Sequence, residues 1–256
     1  MNPKIILHMP HSATNIPIEE GYLLDNAILQ QEILKLTDWH TDDLFGAENG
    51  IQVKAEFSRI FCDVERFSED EAEVMSQFGM GALYEKSDLG KPMREVNEDL
   101  RARILKEYYW PHHQKLQAAV EEQLHQFGKA LILDCHSFPD IPFHRDLNQD
   151  QNRPDFNIGR DEFHTPDELT HQSAIFLSEM GEGYEVGIDW PYSGSLVPLE
   201  YYRKDKRVKS IMLEINRKLY LKEGTNEKST NYDKIKQEVG SYVGMLQEWL
   251  IDDSDW

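Results

Sequence analysis

Leu131-Ile132-Leu133-Asp134-Cys135-His136-Ser137 is an apolar run that ends in an acid and a histidine just where the chain must turn. A buried strand that delivers Asp-x-His at its carboxyl end is how an open α/β sheet presents a metal ligand or catalytic group to the crevice above it. Neighbouring strand side chains point to opposite faces, so Cys135 and His136 cannot serve together as nucleophile and base. Ile5-Ile6-Leu7-His8-Met9-Pro10-His11-Ser12 repeats the construction at the start of the chain. Further apolar runs at 51–62, 184–190 and 208–215 alternate with helical spacing over 18–48, 94–127 and 231–251, where Pro111 marks a break or a fresh helix start. This alternation predicts a single-domain, three-layer αβα fold over 1–256, with a mixed, mostly parallel sheet covered on both faces. Residues 138–170, rich in Pro, Asp, Asn and His, are expected to be a long loop that walls the active site.

The 47 acidic and 27 basic residues give a formal charge of -20. Such a surface repels nucleic acid and anionic lipid over a Debye length of roughly 8–10 Å. An anionic substrate therefore needs arginines gathered locally in its site. Only Cys62 and Cys135 are present, which is no disulfide framework. No run of about 18 apolar residues occurs, and Met1-Asn2-Pro3-Lys4 leads into the first strand without a signal-like h-region. The expected setting is cytoplasmic, with no membrane partner.

A catalytic zinc takes three protein ligands and leaves a fourth position open. His11 and His136, both at predicted strand ends, are the leading pair, and Thr37-Asp38-Trp39-His40-Thr41-Asp42-Asp43 offers a carboxylate as the third. Glu214 lies inside the apolar strand 208–215. Facing the crevice, it would have the raised pKa of a general base; facing out, it would pair with Arg217 or Lys209. Arg59 and Arg66 flank another apolar stretch and either bind a substrate carboxylate bidentately or pair with Asp63 and Glu65. Tyr192 and Ser193, within Trp190-Pro191-Tyr192-Ser193-Gly194-Ser195, suit a loop that closes over substrate. His8, His112, His113, His125, His144, His164 and His171 read as satisfied core or surface histidines.

Pro10-His11-Ser12, Thr37-Asp38, Ser58-Arg59 with Asp63-Val64-Glu65-Arg66, Leu133-Asp134-Cys135-His136-Ser137, Pro191-Tyr192-Ser193-Gly194, and Leu213-Glu214-Ile215-Asn216-Arg217 with Tyr220 resemble, in this order, the N-formylglutamate amidohydrolase family. The resemblance implies a phosphorylase/hydrolase-like fold, related to zinc carboxypeptidases and aspartoacylase, and cleavage of the amide bond of a small anionic N-acyl amino acid. By the same likeness His11 and His136 are zinc ligands and Glu214 is the general base. Arg66 reads the substrate carboxylate, with Arg59, Tyr192, Ser193 and Asn216 also at the substrate. Thr14 stands where carboxypeptidases carry the Glu of His-x-x-Glu, so the third ligand is expected from Asp38. Glu65 stands where the family reads Asp-x-Asn-Arg. A zinc carboxypeptidase or peptidoglycan amidase on the same fold is the alternative enzyme, and a non-catalytic ligand-binding homologue the alternative of another class.

Overall fold

In a computed structural model, which describes residues 2–46, 50–181 and 183–252, the apolar runs become one six-stranded sheet. Its strands are β1 (Ile6–Met9), β2 (Ile51–Lys54), β3 (Ala130–Phe138), β4 (Phe156–Gly159), β5 (Val186–Ile188) and β6 (Val208–Asn216), in the spatial order β2-β1-β3-β6-β4-β5. The first four in that order run parallel, β4 is antiparallel to β6, and β5 is parallel to β4. The mixed, mostly parallel α/β sheet is the one expected from the strand–helix alternation.

Buried parallel strands need helices on both faces. On one face, Leu116 and Val120 of α4 (Trp110–Phe127) pack with Ile6, Val53 and Ile132. On the other, α5 (Asp167–Glu179) and α6 (Tyr232–Asp252) bring Leu169, Leu177, Ile235 and Val239 against Leu7, Leu133, Cys135, Leu213 and Ile215. The period of two assigns the face: with Leu133, Cys135, Leu213 and Ile215 under α5 and α6, Asp134, His136, Met212 and Glu214 project to the opposite side. Parallel pairing sets His136 level with Glu214. The central pair thus delivers the acid, the histidine and the glutamate to one crevice.

Two details differ from expectation, and a third, the break near Pro111, meets it. The apolar stretch 51–62 is strand only through Lys54; the N–H groups of Phe61 and Cys62 bond back to the Ser58 carbonyl, so the segment turns and carries Arg59 across the sheet end. Residues 138–170 are not one loop, because Phe156–Gly159 is fully buried and pairs with β6, and α5 begins at Asp167. The helical stretch 94–127 divides into α3 (Glu98–Ile104) and α4 around a widened turn at Leu105–Tyr109, just ahead of Pro111, which has no N–H to give to an interior helix bond. The two remaining α-helices among the described residues, α1 (Asn26–Leu36) and α2 (Thr41–Leu44), precede β2.

Candidate metal centre

The chain leaves β1 at Met9, and His11 is buried two residues later. α1 ends at Leu36, and the backbone N–H of Asp38 donates to the His11 carbonyl at 3.0 Å, tying the end of this helix to the end of β1. Asp38 Oδ2 lies 3.1 Å from His136 Nδ1 and 3.6 Å from His11 Nδ1. Its other oxygen accepts from the Arg217 guanidinium at 2.9 Å. His11 Nε2 donates to Asp63 Oδ1 at 2.8 Å, and its Nδ1 is buried without a hydrogen-bond partner. Ligand atoms about 2.0–2.1 Å from one tetrahedral zinc stand roughly 3.3 Å apart. The 3.1 and 3.6 Å edges that Asp38 Oδ2 makes with the two rings lie on either side of that spacing, and an orphaned buried Nδ1 is what an imidazole ligand presents.

A second carboxylate approaches from the other side. Glu65 Oε1 is 3.1 Å from His136 Nε2, which also lies 3.2 Å from Asp134 Oδ1. His11, Glu65 and His136 form a group able to hold a metal, and His8, Glu65 and Asp134 form another. His11 discriminates between Asp38 and Glu65. Its Nε2 is spent on Asp63 and is 3.9 Å from Glu65 Oε2, so the open edge of this ring is the Nδ1 edge that Asp38 faces. Asp63 and Glu65 stand at the Nε2 atoms of the two rings, the edge away from Asp38.

Electrostatics keep these acids ionised. Burial alone would raise Asp38, but the His11 and His136 rings and the Arg217 charge hold it well below the usual carboxylate range. Asp63 is lowered against its burial by His11, Arg59 and Arg66. Burial disfavours a charged His136, yet Glu65 and Asp134 raise it well above the ordinary value. Glu214 goes the other way: burial pushes it up to about 7, against the pull of His136 and Arg217, and its Oε2 is buried without a partner. An acid that is half protonated near neutrality and not committed to a neighbour can both take and give a proton.

The residues around this centre enclose a cavity of about 170 Å³. Of the arginines expected there, Arg59 is committed to Asp63 (3.0 Å) and to the Tyr84 hydroxyl (3.2 Å). Arg66 is freer: it is 3.7 Å from Asp63 and 3.9 Å from Glu73, and its Nε has no hydrogen-bond partner. Ser193 lines the cavity, as does Tyr192, whose hydroxyl donates to Asp146 and accepts from Arg153. Asn216 is turned away; its amide donates to Asp140 and the Pro154 carbonyl, and its oxygen accepts from the Lys218 N–H.

Several site residues carry little signal in the sequence. Asp63 reads there only as an ion-pair partner, yet it receives His11, Arg59, the Tyr84 hydroxyl and the Glu65 N–H. Phe143 and Arg145 reach the cavity from the segment after β3, and Arg145 bonds there to Asp88 and the Phe78 carbonyl. Glu65 faces the site. His8 and His112 meet at 2.9 Å, His8 donates to Asp134, and burial depresses His112 to about 2, so this pair is a satisfied core contact.

A mixed α/β sheet with paired histidines and carboxylates buried at the ends of its central strands defines the class, an α/β protein with a candidate metal centre. Residues 4–221 match the profile of the N-formylglutamate amidohydrolase family, and the chain belongs to it. Its fold is similar to the crystal structure of N-formylglutamate amidohydrolase from Ralstonia eutropha JMP134, with a TM-score of 0.85 at 24% identity over 97% of this chain and 94% of that one. A gene product of Agrobacterium tumefaciens is similar at a TM-score of 0.63 and 17% identity, over 97% and 89% of the two chains. No curated protein sequence matches the chain. The family is one of amidohydrolases.

Proposed function

We propose that the protein is a zinc-dependent amidohydrolase that cleaves the C–N bond of a small N-acyl amino acid, of the kind for which its family is named. The observation that carries this reading is the pairing of an orphaned His11 Nδ1, beside Asp38 and His136, with a buried, uncommitted Glu214 on the neighbouring strand. His11, Asp38 and His136 would hold the metal. When bound, zinc supplies Lewis-acid polarisation of the acyl carbonyl and acidifies a water.

The chain's own groups do the rest. Glu214 takes the proton of the attacking water at its free oxygen, then delivers it to the amide nitrogen as the C–N bond breaks. One product is the carboxylate of the acyl group and the other the free amino acid. Its pKa near 7 suits both transfers. Arg66 holds the substrate's α-carboxylate with a guanidinium that is only partly engaged by Asp63 and Glu73. Arg217 fixes Asp38 through Oδ1 and is itself anchored on Ser137 and the Lys35 carbonyl. Tyr192 and Ser193 line the substrate side of the cavity, and Arg59 keeps Asp63 charged.

No helix among the described residues is long and apolar enough to cross a membrane, and the charge of -20 disfavours a polyanionic partner. A cytoplasmic enzyme acting on a small metabolite fits both. The test is incubation of the zinc-loaded protein with a panel of N-formyl and N-acetyl amino acids, with release of formate or acetate as the readout. Absence of turnover across the panel would end the hydrolase reading.

A further inference from the structure

A second cavity adjoins the first. It measures about 340 Å³, twice the volume of the one around the histidines, and the two share Glu65, Arg66, Ser193 and Met212 as a common wall. Glu65 and Arg66 stand at the boundary of both spaces, so a substrate whose carboxylate lies on Arg66 has this larger cavity directly beside it.

The chemistry of that space is not suited to glutamate. Three carboxylates line it, Glu65, Glu73 and Asp134, against the single guanidinium of Arg66, which the α-carboxylate already claims. Glu73 accepts from the Phe67 and Met75 N–H groups, and Asp134 from His8 and the Leu196 N–H. Glu65 is the least engaged: Oε1 faces His136, while Oε2 comes no nearer than 3.9 Å to His11. The remaining walls include the rings of Tyr109, Tyr202 and Phe67 and the aliphatic side chains of Leu196, Val197 and Leu199. Apolar and aromatic walls around an excess of carboxylate are complementary to a long aliphatic stem that ends in a cation. A second substrate carboxylate would meet like charge at Glu65 with no guanidinium left to receive it.

We infer that the cavity beyond Glu65 is the side-chain subsite and that it selects N-acyl amino acids with a cationic side chain, of the arginine or lysine type, over N-acyl glutamate. This rests on the amidohydrolase reading for the reaction but not for the binding. Glu65 sets the preference by facing the cation directly.

The test compares N-formyl-L-arginine, N-formyl-L-leucine and N-formyl-L-glutamate on the zinc-loaded protein, together with calorimetric binding of the three free amino acids. The expected order in kcat/KM is arginine above leucine above glutamate, with at least about tenfold between the first and last, the usual effect of forming one charge pair or forfeiting it. Glu65→Gln should narrow the arginine-to-glutamate ratio by about tenfold or more. Leu199→Lys, at a position 48% exposed where folding is not at stake, should lower the arginine rate without lowering the glutamate rate. Glutamate equal to or better than arginine in the wild type, or leucine above arginine, overturns the cationic subsite while leaving the hydrolase intact. If none of the three is turned over, the hydrolase reading fails, and the calorimetry decides the subsite: tighter L-arginine than L-glutamate sustains it, and the reverse order refutes it.

Discussion

Asp63 Oδ1 lies 2.8 Å from Nε2 of His11, and this one bond determines which edge of the imidazole is free. A carboxylate can only accept here, so the ring donates from Nε2, while Nδ1 is left without a hydrogen bond, 3.6 Å from Asp38 Oδ2. Two residues separated by 52 positions thereby orient the ring so that its Nδ1 edge is the one a metal would use. Asp63→Asn keeps an acceptor but loses the charge that favours this arrangement. Zinc affinity, measured by competition with a chelator, should fall by about 10–100-fold with the fold retained. Unchanged affinity would mean that Asp63 serves only Arg59 and Tyr84.

The third ligand can be identified by stoichiometry. Asp38→Asn should reduce bound zinc well below one per chain, because Oδ2 stands between the two Nδ1 atoms. Glu65→Gln should retain it, since Glu65 stands on the Nε2 side of His136. The opposite pattern in elemental analysis would transfer the ligand role to Glu65. Replacing His136 by Ala should abolish metal and activity together in either case.

The sheet is legible in the sequence because parallel strands buried on both faces read as unbroken apolar runs, and β3 and β6 are the clearest two. Their period of two separates the faces within each strand, and the parallel pairing of His136 with Glu214 puts both residues on the same one. β4 reads as loop because only Phe156 and Ile158 mark it, and its antiparallel partner β6 supplies the rest. Charge partners are harder, since Glu65 and Asp63 can be read equally as neighbours of Arg59 and Arg66 or as members of a site. Which of them faces a histidine depends on the turn at Ser58–Cys62, and that turn is hidden inside a run that looks like strand. Asn216, placed at the substrate by resemblance alone, is instead consumed in holding the end of β6.

Glu214 gives the activity its acidic limb. A base must be ionised to accept a proton, so the rate should rise with pH as Glu214 titrates, at or below the value of about 7 that burial gives it, since a bound cation pulls the group down. Glu214→Gln should lower kcat by on the order of 10²–10⁴ and remove this limb while zinc content stays the same. A pH profile with the same limb in the variant would assign it to another group.

The same glutamate leaves a mark on the stability of the metal-free protein. Its folded pKa of about 7 exceeds the ordinary value of 4.5, so the folded state holds the proton more tightly than the unfolded one. Its contribution is complete below about 4.5 and is lost as pH rises through about 7. Chemical unfolding of the metal-free Glu214→Gln variant should show a smaller decline in stability across this window than the wild type. An equal decline would place the linked proton on a different residue.

Arg66 should recognise the α-carboxylate as a fork rather than as a point charge. Its Nε makes no hydrogen bond, and its nearest acids stand at 3.7 and 3.9 Å, beyond hydrogen-bond length, so the guanidinium is fully committed to neither. Lysine keeps the charge and loses the fork. Arg66→Lys should therefore cut kcat/KM by at least about tenfold, chiefly through KM if the contact is uniform between ground and transition states. Arg59→Lys should act differently, because Arg59 is already bound to Asp63 and Tyr84; its loss should weaken metal retention more than KM. Wild-type turnover of an N-acyl amino acid and of its uncharged amide at the same rate would show that no carboxylate is read, and Arg66 would then be a structural partner of Asp63 and Glu73.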